Sequence, residues 1–148
     1  MADPIDPHTT SRIADCTLVK LARHHHENGN LTVLENCTQM PVEFVRVFYI
    51  YDVPAGADRG GHSHYRCHQL LVAISGSFDV TLDDGHQTRT VTLNRPFQAL
   101  HITPGIWRTM QNFSSGSVCL VMASEHFDES DYVRQYEDFL QLTANKRP

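Results

Sequence analysis

Short alternating or continuously apolar stretches follow one another along the chain, with turn-forming residues between them about every 8–12 positions. The predicted strands cover residues 15–21, 31–34, 42–53, 62–75, 77–82, 88–93, 98–102, 107–112 and 118–124, with 62–75 forming either two short strands or one bent strand. Asp83-Asp84-Gly85 predicts a hairpin, because an Asp-Gly pair tolerates the positive φ angles of tight turns. Many short strands with regular turns are typical of an all-β sandwich or barrel.

The pattern becomes helical near the C-terminus. Over residues 131–140, apolar side chains recur at the spacing of one helix face: Tyr132, Val133, Tyr136, Phe139 and Leu140. Either Asp128 or Ser130 can cap this helix. We expect the aromatic face to pack against the barrel rather than to contact a ligand.

The composition is that of a globular protein. With 148 residues, 41% of them hydrophobic and 20% charged, the chain is expected to form one domain over residues 13–148. Residues 1–12 are expected to be disordered or to derive from the expression vector. No apolar run approaches the roughly 20 residues that span a bilayer, and the N-terminus lacks the apolar segment of a signal peptide. A net charge of -5 without a basic run gives no reason to expect nucleic-acid binding.

The cysteines carry no metal-site or disulfide pattern. Cys16, Cys37, Cys67 and Cys119 are widely spaced and include no CxxC pair. We therefore expect free thiols and a cytoplasmic protein.

Residues 56–76 carry the candidate chemistry. His62 and His64 are two positions apart, so on a strand both imidazoles point to the same side and into one cavity. Their spacing from Gly56 and Gly76 resembles the first signature of the cupin barrels, in which an acidic residue follows the second histidine. Gln69 stands at that acidic position here. Because His64 and Gln69 have opposite parity on an ideal strand, both face inward only if a bulge or break lies near residues 66–68.

One interpretation of the two histidines is metal binding, together with a carboxylate and a further histidine. Gln69 replaces the carboxylate, and Trp107 and Arg108 occupy the region where the second cupin signature has its histidine. An arginine is a poor ligand because it stays protonated. Two of the expected ligands are therefore missing.

Other histidines could take part in a metal site. His68 or His101 could substitute for a missing ligand, which keeps a metal-dependent cupin enzyme as an alternative. The run His24-His25-His26 is expected to be an exposed loop, because three adjacent side chains cannot face one point on a regular backbone.

Two further interpretations of His62 and His64 need no metal. An imidazole titrates near neutrality and suits general acid–base chemistry, and two on one face can divide the work. Tyr49 and Tyr51 share a parity on the preceding strand and could add a phenol donor. Alternatively, both histidines are polar barrel residues with structural hydrogen bonds only.

Further motifs resemble those of the sugar 3,4-ketoisomerases in the WxcM-like cupin family. They are Arg59-Gly60-x-His62-x-His64, Gln69-Leu70-Leu71-Val72 with Gly76, Leu82-Asp83-Asp84-Gly85, Pro104-Gly105-x-Trp107, and Ala123-Ser124-x-x-Phe127-Asp128-Glu129-x-Asp131-Tyr132-x-Arg134-x-Tyr136. The likeness runs from about residue 42 to residue 139. It implies an all-β cupin jelly-roll barrel with a C-terminal helix.

The resemblance also implies an activity. Enzymes of this family work without a metal or other cofactor on dTDP-linked 4-keto-6-deoxyhexoses, moving the ketone from C4 to C3 through an enediol, in nucleotide-sugar and polysaccharide biosynthesis. His62 and His64 match the catalytic pair, with His64 expected as the main base and His62 as its relay. Tyr49 or Tyr51 is the expected donor to the developing enolate oxygen.

Five residues are candidates for binding the substrate: Arg59, Gln69, Arg46, Trp107 and Arg108. Arg59 is expected to hold the diphosphate or the sugar oxygens, because a guanidinium binds phosphate through two parallel hydrogen bonds. Arg46 and Arg108 are reserves for that role. Trp107 is expected either to stack on the thymine or to fill the barrel.

The resemblance further implies a homodimer that can exchange an N-terminal strand, here residues 15–21. A dTDP-linked keto sugar is the expected ligand, and neither a nucleic acid nor a membrane is an expected partner. The alternative in another functional class is a cupin that binds a nucleotide sugar without turning it over.

Overall fold

The computed structural model describes residues 4–146. This part contains the strands β1 Thr17–Lys20, β2 His24–His26, β3 Gly29–Leu31, β4 Arg46–Ile50, β5 Arg59–His64, β6 Gln69–Ser75, β7 Phe78–Asp83, β8 Thr88–Leu93, β9 Gln98–Ile102, β10 Trp107–Gln111, β11 Val118–Ala123 and β12 Tyr132–Val133, and the helix α1 Tyr136–Thr143.

Ten of the strands form two antiparallel sheets of five. Sheet 1 has the order β1-β9-β6-β11-β4 and sheet 2 the order β12-β5-β10-β7-β8, while β2 and β3 form a separate hairpin. The chain passes from one sheet to the other between successive strands from β4 to β7 and again from β9 to β12, which is jelly-roll connectivity. The prediction of an all-β cupin jelly-roll barrel with a C-terminal helix is confirmed.

The main core lies between the two sheets. Its buried side chains come from both of them and include Leu71, Phe78, Val80, Leu82, Leu100, Ile102 and Val121. A second cluster covers the other face of sheet 1, where Leu70, Val72, Ala99 and Met122 pack against Leu21 and Met40. Sheet 1 is thus buried on both faces, which explains why β6 reads as a continuous apolar run rather than as an alternating strand.

Several strand boundaries differ from the prediction. β4 is shorter than the predicted strand over residues 42–53, and β5 begins at Arg59, before the start of the strand predicted over residues 62–75. The break predicted near residues 66–68 is confirmed, because β5 and β6 belong to different sheets and the chain turns between them. The predicted hairpin at Asp83-Asp84-Gly85 joins β7 to β8.

The start of the C-terminal helix was predicted wrongly. Glu129–Asp131 forms a 3-10 turn that Asp128 caps through the Ser130 amide, and Tyr132 and Val133 pair with His64 and Ser63 as β12. The backbone there bonds to the open edge of β5 instead of coiling, so α1 begins only at Tyr136. Within the described residues, no helix has the length and apolar composition that a membrane crossing would require.

The expectation of a loose N-terminus does not hold for the part that the structure describes. Pro7–Thr9 forms a 3-10 helix, and its His8 is fully buried. Residues 1–3, together with residues 147–148 at the end of the expected domain, lie outside the described residues.

Gly76 and Gly116 offer a matched test of tight packing at the loop ends. Both have left-handed backbone, with φ of +69° and +72°, but only at Gly76 would a Cβ lie 2.8 Å from the Cβ of Ser117, while at Gly116 it would meet no atom within 4 Å. We expect Gly76→Ala to lower the free energy of unfolding by about 1–3 kcal/mol more than Gly116→Ala, because only the former adds overpacking to backbone strain. Urea denaturation measures the difference; equal losses would contradict it.

Candidate active site

A cavity of about 590 Å³ lies between the two sheets. Its walls include Arg59, His62, Gln69, Arg108, Tyr132 and Arg134, which come from β5, β6, β10, β12 and the residue after β12. The volume lies in the range of sites for small molecules and cofactors. Three arginines and one carboxylate, that of Asp58, lie in its walls, and this excess of positive side chains favours an anionic ligand.

The structure brings His62 and His64 together as the spacing predicted. Their ring centroids are 4.7 Å apart and the ring planes are nearly perpendicular, at 87°. His62 lines the cavity, and His64 lies behind it, fully buried. The Nε2 atoms of both rings are buried and have no hydrogen-bond partner among the described residues. Neither Nε2 atom is therefore committed to a hydrogen bond with another described residue.

Asp131 orients His64. Its Oδ2 lies 3.0 Å from Nδ1 of His64, and the carboxylate also accepts the backbone N–H groups of Arg66 at 2.7 Å and Cys67 at 3.2 Å. Burial raises the pKa of Asp131, but the hydrogen bonds from His64 and Arg66 outweigh it and hold the pKa below its ordinary value. An ionised carboxylate only accepts, so Nδ1 of His64 carries the hydrogen and Nε2 keeps its lone pair.

The two imidazoles differ in basicity. Burial lowers the pKa of His62 to about 2, and the positive charge of Arg108 adds to the effect. Burial lowers the pKa of His64 to about 4, and the hydrogen bond to Asp131 limits that fall. Both rings are therefore neutral near pH 7 and able to accept a proton, with His64 the stronger base.

Tyr132 completes the cluster, although the sequence analysis assigned it to a packing face. Its ring centroid is 5.0 Å from that of His62 and 4.4 Å from that of His64. The guanidinium of Arg134 lies 4.1 Å from the ring centroid of Tyr132 and is held by Glu129 at 2.5 and 2.9 Å. The only sequence signal for a role of Tyr132 in the site was its place in the tail motif of residues 123–136. The helical spacing of apolar residues over 131–140 led us to assign Tyr132 to a helix face instead.

Gln69 and Arg108 bind each other at the floor of the cavity. Nη1 of Arg108 donates to Oε1 of Gln69 at 2.6 Å, and its other nitrogens donate to the carbonyl of Ile106. Burial lowers the pKa of Arg108 to about 10, so the guanidinium stays charged near neutral pH. The two positions where metal-binding cupins would have ligands thus hold a cation and a neutral amide that accepts from it.

The other predicted site residues are placed differently. Arg59 lies exposed in the cavity wall. Tyr49 and Tyr51 border the mouth, but they are 62% and 59% exposed, and their rings lie 5.7 Å from each other. The guanidinium of Arg46 sits over the ring of Phe48, at 5.3 Å.

The structure does not place Trp107 in the cavity wall. Neighbouring side chains of a strand point to opposite faces, and on β10 the side chain of Arg108 points into the cavity. Trp107 therefore faces α1, where it contacts Tyr136 and Phe139 at ring-centroid distances of 5.2 and 5.6 Å. Of the two roles left open for it, this placement favours structural packing.

One cluster in residues 4–146 has the composition of a metal site: His64, Cys67 and Asp131. The imidazole and carboxylate already bond to each other, and Sγ of Cys67 donates to the His68 carbonyl, so a metal would have to displace these hydrogen bonds. His68 and His101 pair at 2.9 Å elsewhere and do not line the cavity. The histidines of β2 are exposed, as expected, although they form a strand rather than a loop.

A jelly-roll barrel enclosing a histidine pair defines the class as a cupin. The chain belongs to the FdtA family (WxcM-like, C-terminal), whose model matches residues 14–144. The resemblance inferred from the motifs is thereby confirmed.

Individual relatives are named for one kind of reaction. The TDP-4-oxo-6-deoxy-alpha-D-glucose-3,4-oxoisomerase of Aneurinibacillus thermoaerophilus is 40% identical over 116 residues, which cover 78% of this chain and 84% of that protein. A 3,4-ketoisomerase from Helicobacter canadensis is 36% identical with a TM-score of 0.85, over 88% of this chain and 98% of that one. QdtA, a sugar 3,4-ketoisomerase from Thermoanaerobacterium thermosaccharolyticum solved with TDP, is 34% identical with a TM-score of 0.87, over 90% and 97%.

The buried histidines predict a pH dependence of stability. Because the pKa values of His62, His64 and His101 are lowered to about 2, 4 and 4, these rings stay neutral in the folded chain while the unfolded chain binds protons below about pH 6.5. We expect the free energy of unfolding to fall as the pH drops from 6.5 to 5, by up to about 1.4 kcal/mol per pH unit for each ring.

Urea denaturation across this range measures the slope. His62→Gln should flatten it, since one titrating group is removed. Carboxylates with lowered pKa values, such as Asp131, act at lower pH and do not contribute to this window. A free energy of unfolding that is constant between pH 5 and 7 would contradict the prediction.

Proposed function

We propose that this chain is a 3,4-ketoisomerase of a dTDP-linked 4-keto-6-deoxyhexose and supplies a precursor for polysaccharide biosynthesis. The observation that carries the proposal is a pair of neutral imidazoles with unpartnered Nε2 atoms: His62 lies in the wall of a cavity that contains three arginines, and His64 lies behind it, fixed by Asp131. Membership of a family whose named relatives are TDP-sugar 3,4-ketoisomerases supports the choice of substrate.

The reaction moves one ketone and two hydrogens. A base removes the proton from C3, and the electron pair forms the C3–C4 double bond while O4 takes up a proton, which gives the enediol. Delivery of a proton to C4 and loss of the proton on O3 then leave a hydroxyl at C4 and the ketone at C3. His62 stands at the cavity wall as the relay, and His64, the stronger base, takes up the proton. Both carbons are adjacent, so one imidazole pair can serve both steps.

Tyr132 is our candidate for the donor to the enediol oxygen. Among the phenols in the cavity wall, it contacts both imidazole rings, whereas Tyr49 and Tyr51 lie exposed at the mouth. A donor aimed at the oxygen where charge develops lowers the barrier most when water is excluded. This replaces the earlier assignment of the donor to Tyr49 or Tyr51.

Binding of the substrate falls to the arginines. Arg59 and Arg134 sit in the cavity wall and suit the diphosphate, since a guanidinium matches two phosphate oxygens. Arg108 adds a fixed positive charge at the floor, with Gln69 orienting it. Arg46 remains a reserve, and Trp107 has no part in binding.

We further propose that the chain works as a homodimer. β4, at one edge of sheet 1, exposes Val47 and Tyr49 by 54% and 62%, and Val45 just before it by 45%. A contiguous apolar patch of this kind is typical of an interface. β1 lies at the opposite edge, paired with β9, and residues 15–21 are the segment that two copies could exchange.

Exchange of hydrogen with solvent tests the reaction directly. In deuterated water with dTDP-4-keto-6-deoxyglucose, we expect deuterium at C3 or C4 by NMR. His64→Asn and Asp131→Asn should each lower kcat by about 100-fold, the usual scale for an acid–base group, while TDP affinity measured by calorimetry stays within about threefold. His68→Asn, which alters a half-buried imidazole outside the cavity, is the control.

No deuterium incorporation by the wild-type chain would overturn the isomerase proposal. Binding of the nucleotide sugar without exchange would instead identify a binding module. Full activity of the Asp131→Asn variant would remove the orienting role of the carboxylate.

The donor is tested by three matched substitutions. Tyr132→Phe should lower kcat by about 100- to 1000-fold, as the loss of one donor to a developing oxyanion does. Tyr49→Phe and Tyr51→Phe, which remove the same hydroxyl at the mouth, should change kcat far less. Steady-state kinetics decides the point, and a larger loss at either mouth tyrosine would return the donor role to it.

A further inference from the structure

The N-terminal strap, residues 6–9, carries a hydrogen-bond chain that starts at the partly exposed Asp6 and that the reaction does not use. Asp6 Oδ1 lies 2.7 Å from Nδ1 of His8, and Nε2 of His8 lies 2.8 Å from Oγ of Ser63. His8 and Ser63 are both fully buried. No substrate can reach the Ser63 hydroxyl, so this carboxylate–imidazole–hydroxyl arrangement serves to hold a position rather than to supply a nucleophile.

The hydrogen bonds in the strap have fixed directions. Oδ1 of Asp6 also accepts the backbone N–H of His8 at 2.9 Å, which holds the carboxylate against the ring. Nδ1 of His8 therefore donates, Nε2 accepts, and Ser63 donates its hydroxyl hydrogen. The ring of His8 is further enclosed by Tyr65 and Phe139, at centroid distances of 5.0 and 5.8 Å.

Ser63 is the residue between the two active-site histidines. Because side chains alternate along a strand, its hydroxyl points away from the cavity that His62 faces. The strap thus hydrogen-bonds to β5 on the face opposite the imidazole pair. A shift of Ser63 would move the backbone that carries both rings.

Apart from the bond between His64 and Asp131, β5 has few other supports at this point. Its pairing with β10 is irregular and ends at His62, and β12 provides only two residues opposite Ser63 and His64. The carbonyl of His64 accepts from the N–H of Gly105 at 2.8 Å. Gly105 is itself packed on the strap, since a Cβ there would lie 2.6 Å from the Pro7 carbonyl oxygen.

We infer that His8 is a positioning residue for the imidazole pair, an inference that rests on the proposed function. Through Ser63 and the Gly105 turn, the strap fixes the location of His64 relative to the cavity. A misplacement of a reacting group by about 1 Å can lower a rate about 100-fold without any loss of ligand contacts. The strap therefore acts on kcat and leaves substrate binding unchanged.

The test combines three variants with the intact chain. We expect His8→Ala and Ser63→Ala each to lower kcat by about 10- to 100-fold with KM within about twofold, and the double variant to be no worse than either alone, because both break one hydrogen bond. His8→Gln, whose amide can reach Ser63, should restore part of kcat. Ile5→Ala, at an exposed neighbouring position, is the control.

Each outcome decides the inference. Wild-type kcat in a folded His8→Ala variant, or losses that add in the double variant, would overturn it. If His8→Ala does not fold, Ser63→Ala and His8→Gln carry the same comparison.

The failure of the proposed function is recognised separately. If the wild-type chain itself shows no exchange, the isomerase proposal fails, and the strap is judged by nitrogen NMR of His64. Loss of Ser63 should then broaden or shift the Nδ1–H and Nε2 signals of His64; unchanged signals would overturn the inference.

Discussion

The hydrogen bond between Asp131 and His64 is the interaction on which the site depends. It fixes the tautomer of His64, keeps Nε2 free, and limits the fall in pKa that burial imposes. The same carboxylate accepts the backbone N–H groups of Arg66 and Cys67, so the turn between the two sheets and the orientation of the imidazole are set by one group. A buried carboxylate with this many donors stays ionised, which a neutral substitute cannot reproduce.

The hydrogen bond between Gln69 and Arg108 shows how the cavity of this barrel differs from that of metal-binding cupins. A carboxylate at position 69 would neutralise the guanidinium, whereas the amide accepts a hydrogen bond and leaves the charge in place. The cavity floor is therefore cationic, which suits an anionic ligand and opposes protonation of His62. The buried Arg108 thus affects both the charge of the cavity and the pKa of His62.

The sequence allowed the barrel and half of the site to be predicted, for a physical reason. Strands such as β8 and β9 follow from local periodicity, and the His62–His64 pair follows from strand parity. β12 could not be predicted from local periodicity, because its extended conformation comes from pairing with β5. The apolar residues of the same segment also have the spacing of a helix face. Asp131 and Tyr132 were missed with β12, and the role of Trp107 stayed open because the inward-facing member of the Trp107–Arg108 pair cannot be told from sequence.

The late position of β12 has a consequence for synthesis on the ribosome. A nascent chain that has emerged through β11 already has nine of the ten sheet strands, and its two sheets can close around their core. It still lacks the carboxylate and the phenol that surround the imidazoles. The barrel can thus form before the candidate site is complete, and a prematurely terminated product would lack Asp131 and Tyr132.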